Sequence, residues 1–373
     1  MVESINEACN VENKNQLNGF RWIIPRIINN GASYADVMRI FENAYDHESW
    51  YREWTNIAKF YEKNAEIENS KNNIETAGEY WLLASNYYRT AQFIIFKDTP
   101  LKHELYEKSA ECYKKACSIL YPYFEVVQIT VGEQSFTGYL TMPSNSKKMA
   151  AVIVLHGTDS TKEETHNICL AFWKRGIATL TFDGPGQAET RLNGITLDKD
   201  YYAKVCSAAV DLLQEHPLIE ENSIGVWGQC LGGYLGMVAT AYEPRIKACA
   251  SLSGFYYLDT WLGDNIPTSF KKLFMYAFDV KTFEELKDKA KNFNLEGIIS
   301  KVNCPMLIVH STGDFLVPAS EANQIYDEAT CPKELKIYNG SVHCCSDIIP
   351  QVRPFMIDWM KLKLLSERKE RND

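Results

Sequence analysis

A change in the spacing of apolar residues near Pro122 limits the fold of this 373-residue chain more than any other feature. Before it, apolar side chains recur every three or four residues and share one helix face, for example Trp50, Trp54 and Ala58. Similar spacing continues up to Pro122, which cannot extend a helix. Residues 1–122 are therefore predicted to form an all-helical N-terminal cap domain.

After Phe124 the apolar period falls to two, and fully apolar runs follow that are separated by helical stretches. The runs are AAVIVLHG (150–157), IATLTFDG (177–184), SIGVWGQC (223–230), IKACASLSG (246–254) and PMLIVHSTGD (305–314). Such runs indicate an α/β fold with a mostly parallel central sheet and helices on both faces. Residues 123–373 are predicted to be the catalytic domain, and 261–301, without a strand signal, an insertion near the active site.

Composition excludes several classes of function. Lys and Arg number 39 and Asp and Glu 48, a formal charge of −9, and no basic block offers a site for nucleic acid. No apolar run approaches the ~18 residues of a membrane helix, and the start MVESINEACN lacks signal-peptide features, so we expect a cytoplasmic protein. The cysteines lack zinc-site spacing and FDGPGQ lacks a third glycine, so we expect no metal and no cofactor.

One pentapeptide carries the chemistry. The sequence Gly228-Gln229-Cys230-Leu231-Gly232 follows a predicted strand and precedes a helix-compatible run. This is the strand-turn-helix setting of a nucleophile elbow, in which two glycines allow a tight turn beneath the reactive side chain. Cys230 is therefore the predicted nucleophile. The alternative is a buried cysteine in an ordinary glycine-rich turn.

Two further residues complete a candidate triad. Asp314 follows the strand PMLIVH, and His343 follows the short strand KELKIY. The chain order of nucleophile, acid and histidine is the order used by this fold class. Cys230 would attack, His343 would transfer the proton and Asp314 would orient the imidazole. A loop cap for Asp314 and a surface position for His343 are the alternatives.

The oxyanion hole needs two backbone N–H donors. We expect one from Leu231, directly after the nucleophile, and the second from Thr158, in the loop after VIVLHG. Asp159 stays open as a substitute for Thr158. His156 in the same loop is interpreted as a prop for the loop and not as a proton carrier.

Together with the triad, three segments carry a resemblance to a known family: HGTDSTKEE (156–164), TFDGPGQAE (181–189) and GVWGQCLGGY (225–234). They resemble the alpha/beta-hydrolase superfamily and, within it, the FrsA-like esterases with a helical N-terminal domain. The resemblance implies a triad and a substrate pocket between the two domains. Its members include carbon–carbon bond hydrolases and hydrolases that shorten polyketides. The group usually has serine at the elbow, where this chain has Cys230.

We predict a hydrolase that acts on a carbonyl of a bulky aromatic or polyketide-like small molecule. Ester or thioester hydrolysis and retro-Claisen carbon–carbon cleavage both fit a thioester acyl-enzyme on Cys230. An acyltransferase or cyclase is the alternative, with an amine, alcohol or carbanion as acceptor. Tyr87, Tyr88 and Arg89, in one aromatic helical segment, are the candidate substrate-binding residues, and a homodimer stays open.

Overall fold

The computed structural model describes residues 18–263 and 266–369. The outer ends of both predicted domains and two residues of the predicted insertion lie outside that part of the chain. Residues on either side of the boundary between Pro122 and Tyr123 form two compact units, one helical and one containing a sheet.

The helical unit begins with a 3-10 turn, Asn18–Ile23, and continues with five α-helices. These are α1 (Ile24–Asn29), α2 (Tyr34–Asn43), α3 (His47–Ser70), α4 (Ile74–Gln92) and α5 (Pro100–Leu120). Helix α3 begins at a capping box, in which the Asp46 carboxylate accepts from the Ser49 N–H and the Ser49 hydroxyl accepts from the Asp46 N–H. Thr99 caps α5, whose first residue is proline.

The core of the helical unit is aromatic. Trp50 and Trp54 of α3 and Tyr87 of α4 are fully buried. The ring of Trp54 lies 5.6 Å from the ring of Trp50 and 5.6 Å from that of Tyr87, measured between centroids. These rings lie on the helix face that the three-and-four spacing predicted, so burial of that face holds α3 against α4.

The second unit is built on one eight-stranded sheet with the order β1-β2-β4-β3-β5-β6-β7-β8. The strands are β1 (Phe124–Val131), β2 (Gln134–Thr141), β3 (Met149–Leu155), β4 (Ala178–Phe182), β5 (Ile219–Gln229), β6 (Ile246–Leu252), β7 (Met306–Ser311) and β8 (Lys333–Tyr338). Strand β2 is antiparallel to its neighbours β1 and β4, and the remaining pairs are parallel.

Helices connect the parallel strands, and the last helix follows β8. They are α6 (His166–Trp173), α7 (Ala188–Leu192), α8 (Lys199–Glu215), α9 (Leu231–Tyr242), α10 (Leu258–Trp261), α11 (Thr268–Phe278), α12 (Phe283–Ala290), α13 (Ala319–Glu328) and α14 (Ile349–Lys369). Strands β3, β4 and β7 are buried along their whole length, as expected for a sheet covered on both faces. The predicted fold class is confirmed.

Across residues 18–263 and 266–369, no helix is both long and apolar enough to cross a bilayer. The same residues contain no group of three or more His, Cys, Asp or Glu side chains that could hold a metal ion. The ten cysteines that are described are all free.

Removal of the Trp54 ring from the core of the helical unit should destabilise the protein. We expect Trp54→Ala to lower the free energy of unfolding by about 3–5 kcal/mol, because the surrounding helices cannot close the cavity. Urea titration followed by circular dichroism measures this. Phe60→Ala on the same helix is the control, since Phe60 is 57 % exposed and should change that free energy by about 0.5 kcal/mol or less. Equal effects of the two substitutions would contradict the role of Trp54.

Candidate active site

The sheet brings the three predicted triad residues to the same edge. Cys230 directly follows β5, Asp314 lies three residues beyond β7, and His343 lies in the loop after β8. Because the three strands are parallel, their carboxyl ends meet at one side of the sheet, where α/β proteins place their sites.

Cys230 lies in a strained turn between β5 and α9. Its backbone has φ 54° and ψ −125°. Residues other than glycine rarely adopt this conformation, and it costs about 1–3 kcal/mol. The two glycines of the motif permit the turn. A Cβ at Gly228 would lie 2.1 Å from the carbonyl oxygen of Gly232, and one at Gly232 would lie 2.4 Å from that of Leu155 in β3. The packing therefore holds the cysteine in this conformation.

Asp314 and His343 form a direct pair. Oδ2 of Asp314 lies 2.8 Å from Nδ1 of His343, while Oδ1 accepts hydrogen bonds of 3.0 Å from the N–H groups of Leu316 and Val317. Nε2 of His343 is buried and has no hydrogen-bond partner within residues 18–263 and 266–369. The carboxylate thus orients the ring and leaves the other ring nitrogen free for a reacting group.

The charges of the pair support each other. Burial would lower the pKa of His343, but the charge of the Asp314 carboxylate and the hydrogen bond to it raise that pKa well above its ordinary value of 6.5. Burial would raise the pKa of Asp314, yet His343 and the N–H of Val317 hold it below its ordinary value of 3.8. Asp314 therefore favours the protonated form of His343 and would stabilise the imidazolium that forms when the ring accepts a proton.

The loop after β3 lies against the cysteine. A Cβ at Gly157 would lie 3.3 Å from Cβ of Cys230 and 3.6 Å from its Sγ. No acceptor in the described part of the chain is found for the backbone N–H of Thr158 or of Leu231. Leu231 is the first residue of α9, where helix N–H groups favour negative charge.

A buried charge network lies beside this loop. Nε2 of His156 lies 2.9 Å from Oδ1 of Asp183, and Nζ of Lys162 lies 2.8 Å from Oδ2 of Asp183 and 2.7 Å from Oε2 of Glu189. Lys162 and His156 are fully buried. Burial opposes the charge of Asp183, but Lys162 and His156 lower its pKa far below the ordinary value. His156 is therefore a fixed part of the loop.

The three predicted substrate-binding residues lie in the helical unit and are buried there. The Tyr87 hydroxyl donates to Asp36, the Tyr88 hydroxyl to Glu62, and the Arg89 guanidinium to Asn86. These bonds occupy both tyrosine hydroxyls and one nitrogen of the guanidinium within the unit. Their role toward a substrate stays a prediction.

Sequence reasoning missed two residues of this region. Lys162 stands in the quoted segment HGTDSTKEE, but a lysine in a polar stretch gives no sign that it will be buried. Cys344 adjoins His343 and affects its charge, and its N–H donates to the Ser253 hydroxyl at 3.1 Å. The positive φ of both Ser253 and Cys344 leaves no trace in the sequence.

Known proteins are similar to this chain over most of its length. The family model described as Esterase FrsA-like matches residues 26–364. A curated protein of Paenarthrobacter nicotinovorans, 2,6-dihydropseudooxynicotine hydrolase, is 32 % identical over 349 residues, which cover 92 % of this chain and 92 % of that protein. The alpha/beta hydrolase xenA of Xenoacremonium sinensis is 28 % identical over 342 residues, covering 84 % and 80 % of the two chains.

A solved structure is also similar to this chain. The crystal structure of 2,6-dihydroxy-pseudo-oxynicotine hydrolase superposes with a TM-score of 0.85 at 31 % identity. The match covers 92 % of this chain and 96 % of that one, so both units take part in the likeness.

Asp314→Asn should remove the charge that raises the pKa of His343. Without the carboxylate that raises it, the pKa of His343 should fall, and we expect NMR titration of the imidazole to show the ring losing its proton at lower pH than in the unmodified protein. Asp347→Asn is the control, because Asp347 accepts from Ser341 and Val342 in the same loop and not from His343. An unchanged His343 titration in Asp314→Asn would contradict the pairing.

The pair also predicts a pH window for stability. Asp314, with a lowered pKa, stabilises the fold above pH 3.8 and loses that effect as pH falls through its folded value. His343, with a raised pKa, stabilises it below pH 6.5 and loses that effect as pH rises through its folded value. The loss of unfolding free energy in Asp314→Asn, measured by urea titration, should therefore be greatest between pH 3.8 and pH 6.5. A loss independent of pH would contradict the charged pair.

Proposed function

The chain belongs to the FrsA-like esterase family of alpha/beta hydrolases, and from that premise we propose that it is a hydrolase with a Cys230-His343-Asp314 triad. The observation that carries this proposal is the Asp314–His343 contact of 2.8 Å, which leaves Nε2 of His343 buried and without a hydrogen-bond partner in the described residues, at the end of the sheet where Cys230 lies in its strained turn. An orienting carboxylate, a histidine with one free nitrogen and a half-buried cysteine in a strained turn are parts that nucleophilic catalysis requires.

The first half of the reaction forms an acyl-enzyme. The thiol of Cys230 gives its proton to Nε2 of His343, and its sulfur attacks the carbonyl carbon of the substrate. The carbonyl oxygen becomes an oxyanion, which accepts hydrogen bonds from the N–H groups of Leu231 and Thr158. The intermediate then collapses, the bond to the leaving group breaks, and the imidazolium returns the proton to that group. A thioester remains on Cys230.

The second half of the reaction regenerates the free enzyme. Water gives a proton to His343 and attacks the thioester carbon. The C–S bond then breaks, the imidazolium returns the proton to the sulfur, and a carboxylic acid and the free thiol result. For a 1,3-diketone the same scheme cleaves a carbon–carbon bond, since the leaving group of the first half is then an enolate that His343 protonates. Asp314 keeps its charge throughout and stabilises the imidazolium.

The proposed substrate is a bulky aromatic or polyketide-like carbonyl compound. Its support is the relative named for a pseudooxynicotine substrate, which shares 32 % of its residues with this chain over nearly the full length. Replacement of the family's usual serine by Cys230 makes the acyl-enzyme a thioester, which amines and carbanions attack more readily than they attack an ester. We retain transfer of the acyl group to an amine as the competing outcome, and product analysis with and without an added amine separates the two.

Cys230 should be the reactive cysteine. Iodoacetamide labelling of the folded protein, followed by peptide mapping, should modify Cys230 ahead of the other cysteines, because most of these are buried. Incubation with p-nitrophenyl acetate should place one acetyl group on the same residue, and Cys230→Ala should abolish both products.

The control is Cys331→Ala, which removes a buried thiol of the same unit and should leave both reactions unchanged. Mass spectrometry of the intact protein and of its peptides measures the products. Acetylation of another residue, or full turnover by Cys230→Ala, would show that Cys230 is not the nucleophile.

A further inference from the structure

The loop of residues 156–158 is held by a side chain from the β4–α7 connection. The Gln187 amide is fully buried, and its Nε2 donates to the carbonyl oxygens of His156 at 2.9 Å and Gly157 at 3.2 Å. A single amide group thus binds both consecutive carbonyls of the loop.

The other end of the Gln187 amide is fixed as well. Its Oε1 accepts from the N–H of Gly184 at 3.1 Å and from the hydroxyl of Tyr202 at 2.9 Å. With both donors and both acceptor positions filled, the amide has one favourable orientation. It acts as a rigid link between helix α8, which carries Tyr202, and the loop after β3.

The direction of the loop N–H groups follows from peptide geometry. A trans peptide unit is planar, and its N–H points opposite to its C=O. The carbonyls of His156 and Gly157 point toward Gln187, so the N–H groups of Gly157 and Thr158 point away from it. His156 reinforces this arrangement, because its Nδ1 lies 2.9 Å from the Gly157 carbonyl oxygen while its Nε2 faces Asp183.

We propose that Gln187 is a positioning residue that sets the oxyanion-stabilising N–H of Thr158 toward the substrate carbonyl at Cys230. The inference rests on the proposed function, since it assigns the loop N–H to the oxyanion of that reaction. Gln187 itself lies behind the loop and touches no substrate; its effect passes through the two carbonyls that it binds.

Two reactions of Cys230 separate this role from a general structural one. Acetylation by p-nitrophenyl acetate builds negative charge on a carbonyl oxygen, so its rate depends on the loop N–H. Alkylation by iodoacetamide forms an S–C bond at a methylene carbon and expels iodide. It makes no oxyanion, so its rate reports only the reactivity and access of the thiol.

The test uses Gln187→Met in the full chain, which keeps the length of the side chain but removes the amide. We expect the acetylation rate, measured as the pre-steady-state release of p-nitrophenol, to fall by about 10²-fold. We expect the alkylation rate to stay unchanged. Gln187→Glu is the second variant: it keeps an acceptor for Gly184 and Tyr202 but turns a carboxylate toward the two loop carbonyls, and it should show the same split.

Tyr202→Phe is the matched control, because it removes one bond to Oε1 and leaves both Nε2 bonds in place. Its acetylation rate should stay near that of the unmodified protein. Circular dichroism establishes that each variant is folded. The inference is overturned if acetylation and alkylation fall together in both Gln187 variants, if neither falls, or if Tyr202→Phe loses as much acetylation as Gln187→Met.

If the proposed function itself is wrong, the acetylation experiment gives a different result. In that case p-nitrophenyl acetate would acetylate a residue other than Cys230 in the unmodified protein, and the inference would fall with it. If Cys230 is acetylated and the Gln187 variants show no split between the two rates, only the positioning role is wrong.

Discussion

Close backbone packing beneath Cys230 is the constraint on which the site depends. The turn can hold Cys230 at φ 54° only because Gly228 and Gly232 present no side chain to each other or to β3. Strand β3 continues into the loop that lies against Cys230, so the same packing sets the distance between the thiol and the loop N–H groups. One region of contact thus fixes the position of both parts of the site.

The sequence predicted the sheet well because its strands are apolar on both faces. Buried parallel strands read as near-continuous apolar runs, as in all seven residues of β3 and the first four of β7. Helices α13 and α14 were not predicted. Helix α14 carries Pro354 in its interior, which counts against a helix, and α13 has only 10 residues.

Prediction of the site succeeded where chain order carries the information and failed where it does not. Asp314 and His343 each follow a strand, so topology alone places them near Cys230, and their contact is seen. The bonds of Gln187 and Lys162 join residues that are 21 to 31 positions apart and on different elements. No spacing rule marks such pairs, because they arise only when the folded backbone brings two polar groups into a space without water.

The buried ammonium of Lys162 lies among three carboxylates, those of Asp183, Glu189 and Glu163. Loss of Lys162 alone would leave the Asp183 carboxylate without its strongest partner in a dry interior, and loss of Asp183 alone would strand the ammonium. Neither residue can be exchanged for an apolar one in a single step without a cost of several kcal/mol, whereas simultaneous exchange removes both charges together. The two positions are therefore epistatic, and in descendants of this sequence they should be inherited or replaced as a pair.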